Sequence, residues 1–401
     1  MSNYSGRRDD IVEFPKDRQA VKRRRQKEMA KADNRIVIRE YDHIIFICTM
    51  FLVAFGLIMV FSASYYSAMH TQAGMFHFLR MQAIGAALGF AAMVVAATFN
   101  YQMVAKFAGI FYVVSNILLI YVRIFGRPIQ GAWRWIELGP VNIQPSELAK
   151  VAVILMLAVY INKDKNRVNT IGGLFGCLMI TAIPAGLTLL GRNLSTAIII
   201  LAVGFVMVFL SSPYFMRFVV AAGLVFSAGL GYLLYDMHIA GGYRGARLAA
   251  SMDPFADPTG GGFQIVQSLY ALASGGLFGL GLGNSNQKLY FLPEAQNDFI
   301  FAIIVEELGL FGGMIVLIFF GILVWRGARA AINSRTMLGC LIATGIITMV
   351  SVQVIINVGV VTNTIPNTGI PLPFISYGGT SIAVMMAAVG MLLNISRYQK
   401  K

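Results

Sequence analysis

Charge is scarce in this chain of 401 residues: Asp, Glu, Lys and Arg make up 12% of it, against 57% hydrophobic residues. A soluble domain carries about twice that charge, so a soluble protein of this size is excluded. Cysteine is rarer still. Cys48, Cys177 and Cys340 each fall inside an apolar run, without C-x-x-C spacing or a neighbouring His. They read as small buried residues, which excludes a disulfide framework and a structural zinc. The histidines His43, His70, His77 and His238 are scattered, so no metal-ligand motif exists and no metal site is expected. No cleavable leader is expected either. The charged amino-terminal tail of about forty residues is longer than a signal peptide's basic region, and the first apolar run is long enough to stay as an anchor. Neither a soluble domain nor a strong internal repeat is visible.

What the chain has is apolar runs approaching the roughly 20 residues that cross a bilayer. They predict an all-α polytopic membrane protein of about ten transmembrane helices, with a large structured extracytoplasmic loop between spans 7 and 8. The spans fall at roughly 44–63, 80–98, 106–124, 146–161, 171–190, 194–211, 217–235, 298–325, 337–361 and 376–395. An even number puts both termini on one side. The net charge of +14 does not point to nucleic acid, because the basic residues lie mainly in the tails and alternate loops. That is the positive-inside pattern: Lys163 to Arg167, Arg217 and the segment Arg326 to Arg335 read as cytoplasmic, while the loop 362–375 has no charge. The chain therefore divides into a basic, disordered cytoplasmic tail, 1–42, a membrane domain, 43–396, whose external loop is 236–297, and a short cytoplasmic tail, 397–401. The cluster Lys22-Arg23-Arg24-Arg25 could hold an anionic leaflet at about 1 kcal/mol per basic residue, or serve only to set topology.

Three stretches carry candidate chemistry. In the first, Leu292-Pro293-Glu294-Ala295-Gln296-Asn297-Asp298-Phe299, two carboxylates four residues apart run straight into an apolar span. Asp298 thus sits at a water–lipid boundary, where a carboxylate can act as a general base on a substrate with a polar head and an apolar tail. Its structural alternative is helix capping. Glu294 is a weaker candidate, and Pro293 prevents the inference that the two share a face. Glu306 and Glu307 lie deeper in the same span, where ionisable groups are functional hypotheses. Being consecutive, they point about 100° apart and need different partners: polar groups such as Asn357 or Gln353, or a proton path.

In the second stretch, Gly131-Ala132-Trp133-Arg134-Trp135 precedes Gln144-Pro145-Ser146-Glu147-Leu148-Ala149-Lys150. Pro145, Ser146 and Glu147 suit a helix start. Glu147 and Lys150, three apart, face the same side and can satisfy each other. Alternatively Lys150, with Arg134, Arg192, Arg244, Arg247 or Lys288, neutralises a diphosphate outside the membrane. Trp133 and Trp135 could stack on sugar faces or simply anchor at the interface. The third stretch, Asn363 to Ser381, holds three prolines, Pro366, Pro371 and Pro373, that set a rigid non-helical path into Ser376-Tyr377-Gly378. Irregular backbone there reads as the wall of a substrate groove or as a close helix contact.

These pieces resemble the SEDS family (shape, elongation, division and sporulation) of bacterial peptidoglycan polymerases. The carriers are GAWRWIELGPVNIQPSELAK at 131–150, the run DPFADPTGGGFQIVQSLYALASGGLFGLGLGNSNQKLYFLPEAQNDFIFAIIVEELG at 253–309, and PNTGIPLPFISYGGTS at 366–381. The last is more similar to the division branch, FtsW, than to the elongation branch, RodA. The resemblance implies a peptidoglycan glycosyltransferase that polymerises lipid II into β-1,4 glycan strands at the outer face of the cytoplasmic membrane, for septal wall synthesis. It places the family's essential aspartate on Asp298; the substrate contacts expected beside it are Arg134, Glu147, Lys150, Arg244, Arg247, Lys288, Glu294, Ser376, Tyr377 and Gly378. The implied partners are lipid II, a class B penicillin-binding protein transpeptidase and other divisome proteins. No cofactor is demanded, and a divalent cation, Mg2+ or Mn2+, is left open as an aid.

Two departures from the family pattern stand out. Gln296-Asn297 replaces the His-Thr that precedes the aspartate, and Arg192-Asn193-Leu194-Ser195-Thr196 stands where many members carry an acid before the sixth span. The alternatives are an elongation-type polymerase, a lipid-precursor flippase that would depend on Glu306 and Glu307, and a non-catalytic division scaffold.

Overall fold

In lipid a chain can satisfy its own backbone only as a helix or a closed barrel, and long runs of Leu, Ile, Val, Phe and Ala choose the helix. The computed structural model describes residues 40–69, 74–126, 132–138, 141–164, 166–212, 252–258, 260, 262–289 and 291–398. The amino-terminal tail to residue 39, the span expected at 217–235, and Arg244 and Arg247 lie outside the described residues.

Helices α1 (His43–Met69), α2 (His77–Thr98), the short α3 (Tyr101–Lys106) and α4 (Ala108–Phe125) come first. A two-stranded ribbon follows, β1 (Ile136–Leu138) antiparallel to β2 (Val141–Ile143), with Ile136 opposite Ile143. Then come α5 (Pro145–Lys163), α6 (Ile171–Leu190), α7 (Leu194–Ser211), α8 (Phe263–Gly275), α9 (Ile300–Ile332), α10 (Met337–Val361) and α11 (Gly379–Arg397). Among the described residues nine helices, all but α3 and α8, are long and apolar enough to cross a membrane.

Helix starts follow their sequence signals. Pro145 occupies the first turn of α5, where its missing N–H costs nothing. Thr170, Asn193 and Thr336 cap α6, α7 and α10 by accepting from the backbone N–H groups of Gly173, Thr196 and Gly339. The boundaries depart from expectation where tertiary contacts decide them. Helix α9 continues to Ile332 through the stretch from Arg326 that was expected to be a charged loop, because Arg326 is neutralised by Asp42 at 2.6 Å. Helix α11 starts at Gly379, not at residue 376, because Ser376 and Tyr377 are drawn into bonds with the segment before α9.

Helix α5 packs against α4, α6, α7, α10 and α11 and forms the middle of the bundle. The tightest pairing is α2 against α11, and it rests on glycine. A Cβ on Gly85 would lie 2.6 Å from the Gly379 Cα, and one on Gly390 would be driven into the Met93 backbone. Small residues let membrane helices approach this closely. Gly85→Leu is therefore expected to separate α2 from α11 and to lower the unfolding temperature in detergent, with a loss of about 1–3 kcal/mol for overpacking. An unchanged melting curve would contradict this account of the contact.

The start of α1 and the end of α11 lie together: the Asp42 N–H donates to Ser396 Oγ at 3.0 Å, and the Arg335 N–H to the Tyr398 carbonyl at 3.1 Å. The opposite end gathers the starts of α5, α9 and α11.

One helix is broken. At Gly309 the backbone of α9 turns to φ 72°, ψ −177°, a conformation nearly reserved for glycine. The polar groups exposed by the break are met by the segment that follows α8. Leu280 and Gly281 donate N–H to the Glu306 and Glu307 carbonyls at 3.0 and 2.9 Å, while Leu310 and Phe311 donate to Gly276 and Leu277 at 2.9 and 3.2 Å. Side chains Leu277, Phe278 and Leu282 of this segment face outward. Part of the region expected to form an external cap thus re-enters the bundle beside α9.

Candidate active site

Asp298 lies in the turn that leads into α9. The cap position belongs to Phe299, one residue after the acid. Three consecutive carbonyls hold this turn. The Tyr377 N–H donates to the Gln296 carbonyl at 2.9 Å, Ser376 Oγ to that of Asn297 at 2.6 Å, and Asn357 Nδ2 to that of Asp298 at 2.7 Å. The half-buried carboxylate faces Gly369, a residue at φ 69°, on which a Cβ would come within 3.1 Å of Oδ2. Glycine is used there for its backbone angle and for the space it leaves. Glu294, four residues before Asp298, sits at φ 56°, and its carboxylate accepts from Asn297 Nδ2.

The loop from Asn363 to Gly378 is itself braced. Ser376 Oγ accepts the Leu372 N–H at 2.7 Å. Gln82 of α2 donates to the Ser376 carbonyl at 3.0 Å and accepts the Gly378 N–H at 2.9 Å. Ser195, at the start of α7, donates to the Thr368 carbonyl next to Gly369. Burial raises the Tyr377 phenol above its ordinary pKa, so at neutral pH it is an uncharged donor, with its ring edge-on to Phe78 at 5.1 Å. Gln82, Ser195 and Asn357 were not picked out as site residues from sequence. Two of them, Gln82 and Asn357, are isolated amides inside apolar spans, a signal that could have flagged them.

Glu147 and Lys150 form an ion pair of 2.8 Å at 3% and 2% exposure. Ser381 of α11 adds a bond to Glu147 Oε2 at 3.0 Å. The i,i+3 spacing thus produces the mutually satisfied pair that it allows. Lys288 is likewise engaged within the protein: its ammonium lies 2.8 Å from Glu307 Oε1, and Ser62 of α1 donates to the same carboxylate at 2.7 Å. Glu306 accepts from Ser285 Oγ and from the Asn286 N–H at 3.0 Å. The two adjacent acids do take different partners, but these are not Asn357 and Gln353. The re-entrant segment brings its own donors to them, and Asn357 turns to Asp298 instead.

Arg134 Nη2 donates to the Arg192 carbonyl at 3.2 Å. The Trp133 ring lies 4.6 Å from the Arg123 guanidinium and 5.3 Å from that of Arg192, so it is engaged by cations of the protein itself. A shallow pocket beside it is lined by Trp133, Arg134, Pro145, Ser146, Thr188 and Asn193. Among the described residues no three His, Cys, Asp or Glu side chains come together in a way that could hold a metal. The described residues therefore do not fit a divalent cation held by protein ligands alone. The arrangement supports one chemistry best: a carboxylate on a braced turn, at the head of an apolar helix, taking a proton from the polar head of a lipid-anchored molecule.

Residues 42–401 match the model of a family described as "Cell cycle protein", which groups FtsW, RodA and SpoVE. The chain is 40% identical over 362 residues to stage V sporulation protein E of Bacillus subtilis, covering 90% of this chain and 98% of that protein. It is 38% identical over 365 residues to a protein of Geobacter sp. (strain M18) named probable peptidoglycan glycosyltransferase FtsW, covering 90% of this chain and 97% of the other. A solved chain described under "Structural coordination of polymerization and crosslinking by a peptidoglycan synthase complex" superposes with a TM-score of 0.73 at 28% identity, over 90% of this chain and 99% of that one.

Proposed function

This chain belongs to the cell cycle protein family of FtsW, RodA and SpoVE, and from that membership we propose how its site works. It is a peptidoglycan glycosyltransferase, a multi-pass protein of the cytoplasmic membrane. Its substrate is lipid II, whose sugars reach Asp298 while the lipid tail stays in the bilayer. Asp298 takes the proton of the acceptor 4-hydroxyl. That oxygen attacks the anomeric carbon of the donor's muramyl sugar, the C–O bond to the diphosphate breaks, and inversion gives the β-1,4 linkage. One base suffices, because a diphosphate leaves without being protonated.

The observation that carries this reading is the grip on Asp298: three consecutive carbonyls are bonded, and a glycine faces the carboxylate. Such preorganisation is what a general base requires. Lys150 and Lys288 are held by internal carboxylates. We therefore assign the leaving diphosphate to arginines: Arg134 and Arg192, beside Trp133, and Arg244 and Arg247, outside the described residues. Glu294, Ser376, Tyr377 and Gly378 build the wall of the groove. The work of the enzyme is septal, beside a class B penicillin-binding protein that cross-links the new strand and other divisome proteins. Both termini are cytoplasmic, a reading supported by the Asp42 to Ser396 contact. A transporter that moves protons through Glu306 and Glu307 is disfavoured, since both carboxylates are already engaged by hydroxyl, amide and ammonium donors.

The test is glycan polymerisation from purified lipid II by the detergent-solubilised protein, with and without a class B partner. Polymer in either arm, and more of it with the partner, is the expected result. No polymer in both arms from folded protein would contradict the assignment.

A further inference from the structure

Asn357 is 1% exposed, near the end of α10, and its side-chain amide serves two elements at once. Nδ2 donates to the Asp298 carbonyl at 2.7 Å and to the Ile370 carbonyl, also at 2.7 Å. Two acceptors consume both N–H bonds and fix which way the amide points. Its Oδ1 is buried and finds no hydrogen-bond partner among the described residues. The side chain is therefore placed for what it donates, at a cost to its own oxygen. Asparagine is also a poor helix former, so α10 gains nothing locally from it.

Ile370 follows Gly369, the residue that faces the Asp298 carboxylate. The one amide thus ties the backbone that carries the carboxylate to the backbone that lies against it. We propose that Asn357 is a positioning residue for glycosyl transfer. It never touches substrate, and it sets the depth and angle at which Asp298 meets the acceptor hydroxyl. The proposal rests on the reading of Asp298 as the base. Tyr377 and Ser376 hold the two preceding carbonyls, so loss of Asn357 releases the Asp298 and Ile370 carbonyls and leaves the other bonds of the turn in place.

The test measures polymerisation rates across a range of lipid II concentrations for wild type, Asn357→Leu, Asn357→Ala and Asp298→Ala, with unfolding temperatures alongside. Leu fills nearly the same space without donors, which keeps a variant measurable if the Ala cavity is not tolerated. A displacement of about 1 Å can cost on the order of 100-fold. The expected result is a kcat lower by about 10–100-fold with KM within about 2-fold of wild type, since only transition-state geometry is lost. An unchanged kcat, a loss carried by KM, or unfolding of both Asn357 variants would overturn the proposal. If Asp298→Ala is inactive while Asn357→Leu keeps its kcat, only the positioning role fails. If Asp298→Ala itself polymerises, the base assignment fails first.

Discussion

Asp298→Asn should reduce glycan polymerisation by about 10²–10⁴-fold, the usual contribution of a positioned general base, while the protein still folds and still binds lipid II. The substitution keeps the shape of the side chain and replaces the charged, proton-accepting carboxylate with a neutral amide. The backbone of the turn keeps its bonds through the carbonyls of Gln296, Asn297 and Asp298. The cap position of α9 belongs to Phe299 and is unchanged. Rate and stability should therefore separate cleanly, with a flat rate of polymer formation from a protein whose melting curve is that of wild type. Retained polymerisation by the Asn variant would remove Asp298 from the chemistry.

The second large effect is one of stability and lies away from the reacting atoms. Lys288→Met should lower unfolding free energy by about 3–5 kcal/mol, the cost of leaving a buried charge without its partner. Glu307 has no solvent exposure, and its only cation at bonding distance among the described residues is the Lys288 ammonium. The Ser62 hydroxyl, within 2.7 Å of both carboxylate oxygens, stays, but a hydroxyl does not neutralise a carboxylate. Adding Glu307→Gln to Lys288→Met should recover most of the loss, since apolar and neutral replacements of a buried pair are often tolerated. Thermal unfolding in detergent of the two variants side by side is the measurement. Equal melting of the single and double variants would show that the ammonium and the carboxylate are not coupled.

The spans were legible because lipid leaves a long apolar run few choices, and nine of the ten expected helices are present among the described residues. Asp298 drew attention as an acid at the head of a span, and the bonds that hold its turn, to Tyr377, Ser376 and Asn357, could not be read from spacing. The pair of Glu147 with Lys150 was legible as one of two readings, since i,i+3 spacing is a local property. What stayed hidden depends on distant pieces of chain meeting. Lys288 resembles any external cation until the segment after α8 is seen folding back to Glu307. Arg326 resembles a loop residue until Asp42 is placed beside it. Asn357 resembles a spare polar group in a helix until Asp298 and Ile370 arrive at its amide. Trp133 fits a sugar platform or an interface anchor equally well in the sequence, and the cation contacts with Arg123 and Arg192 appear only in the folded chain.

The break at Gly309 also bears on the order of assembly. The half of α9 from Ile300 to Leu308 spans roughly two and a half turns, too short to be stable alone in water. In lipid its open carbonyls at Glu306 and Glu307 would go unmet without the Leu280 and Gly281 amides. The bonding partners are separated by only roughly thirty residues, a local contact by the standards of folding topology. The segment 276–281 precedes α9 in the chain and is available before α9 is complete. Half-helix and returning segment are therefore expected to form as one unit, so that a substitution that breaks their shared bonds should disturb the acid at the head of α9 as well.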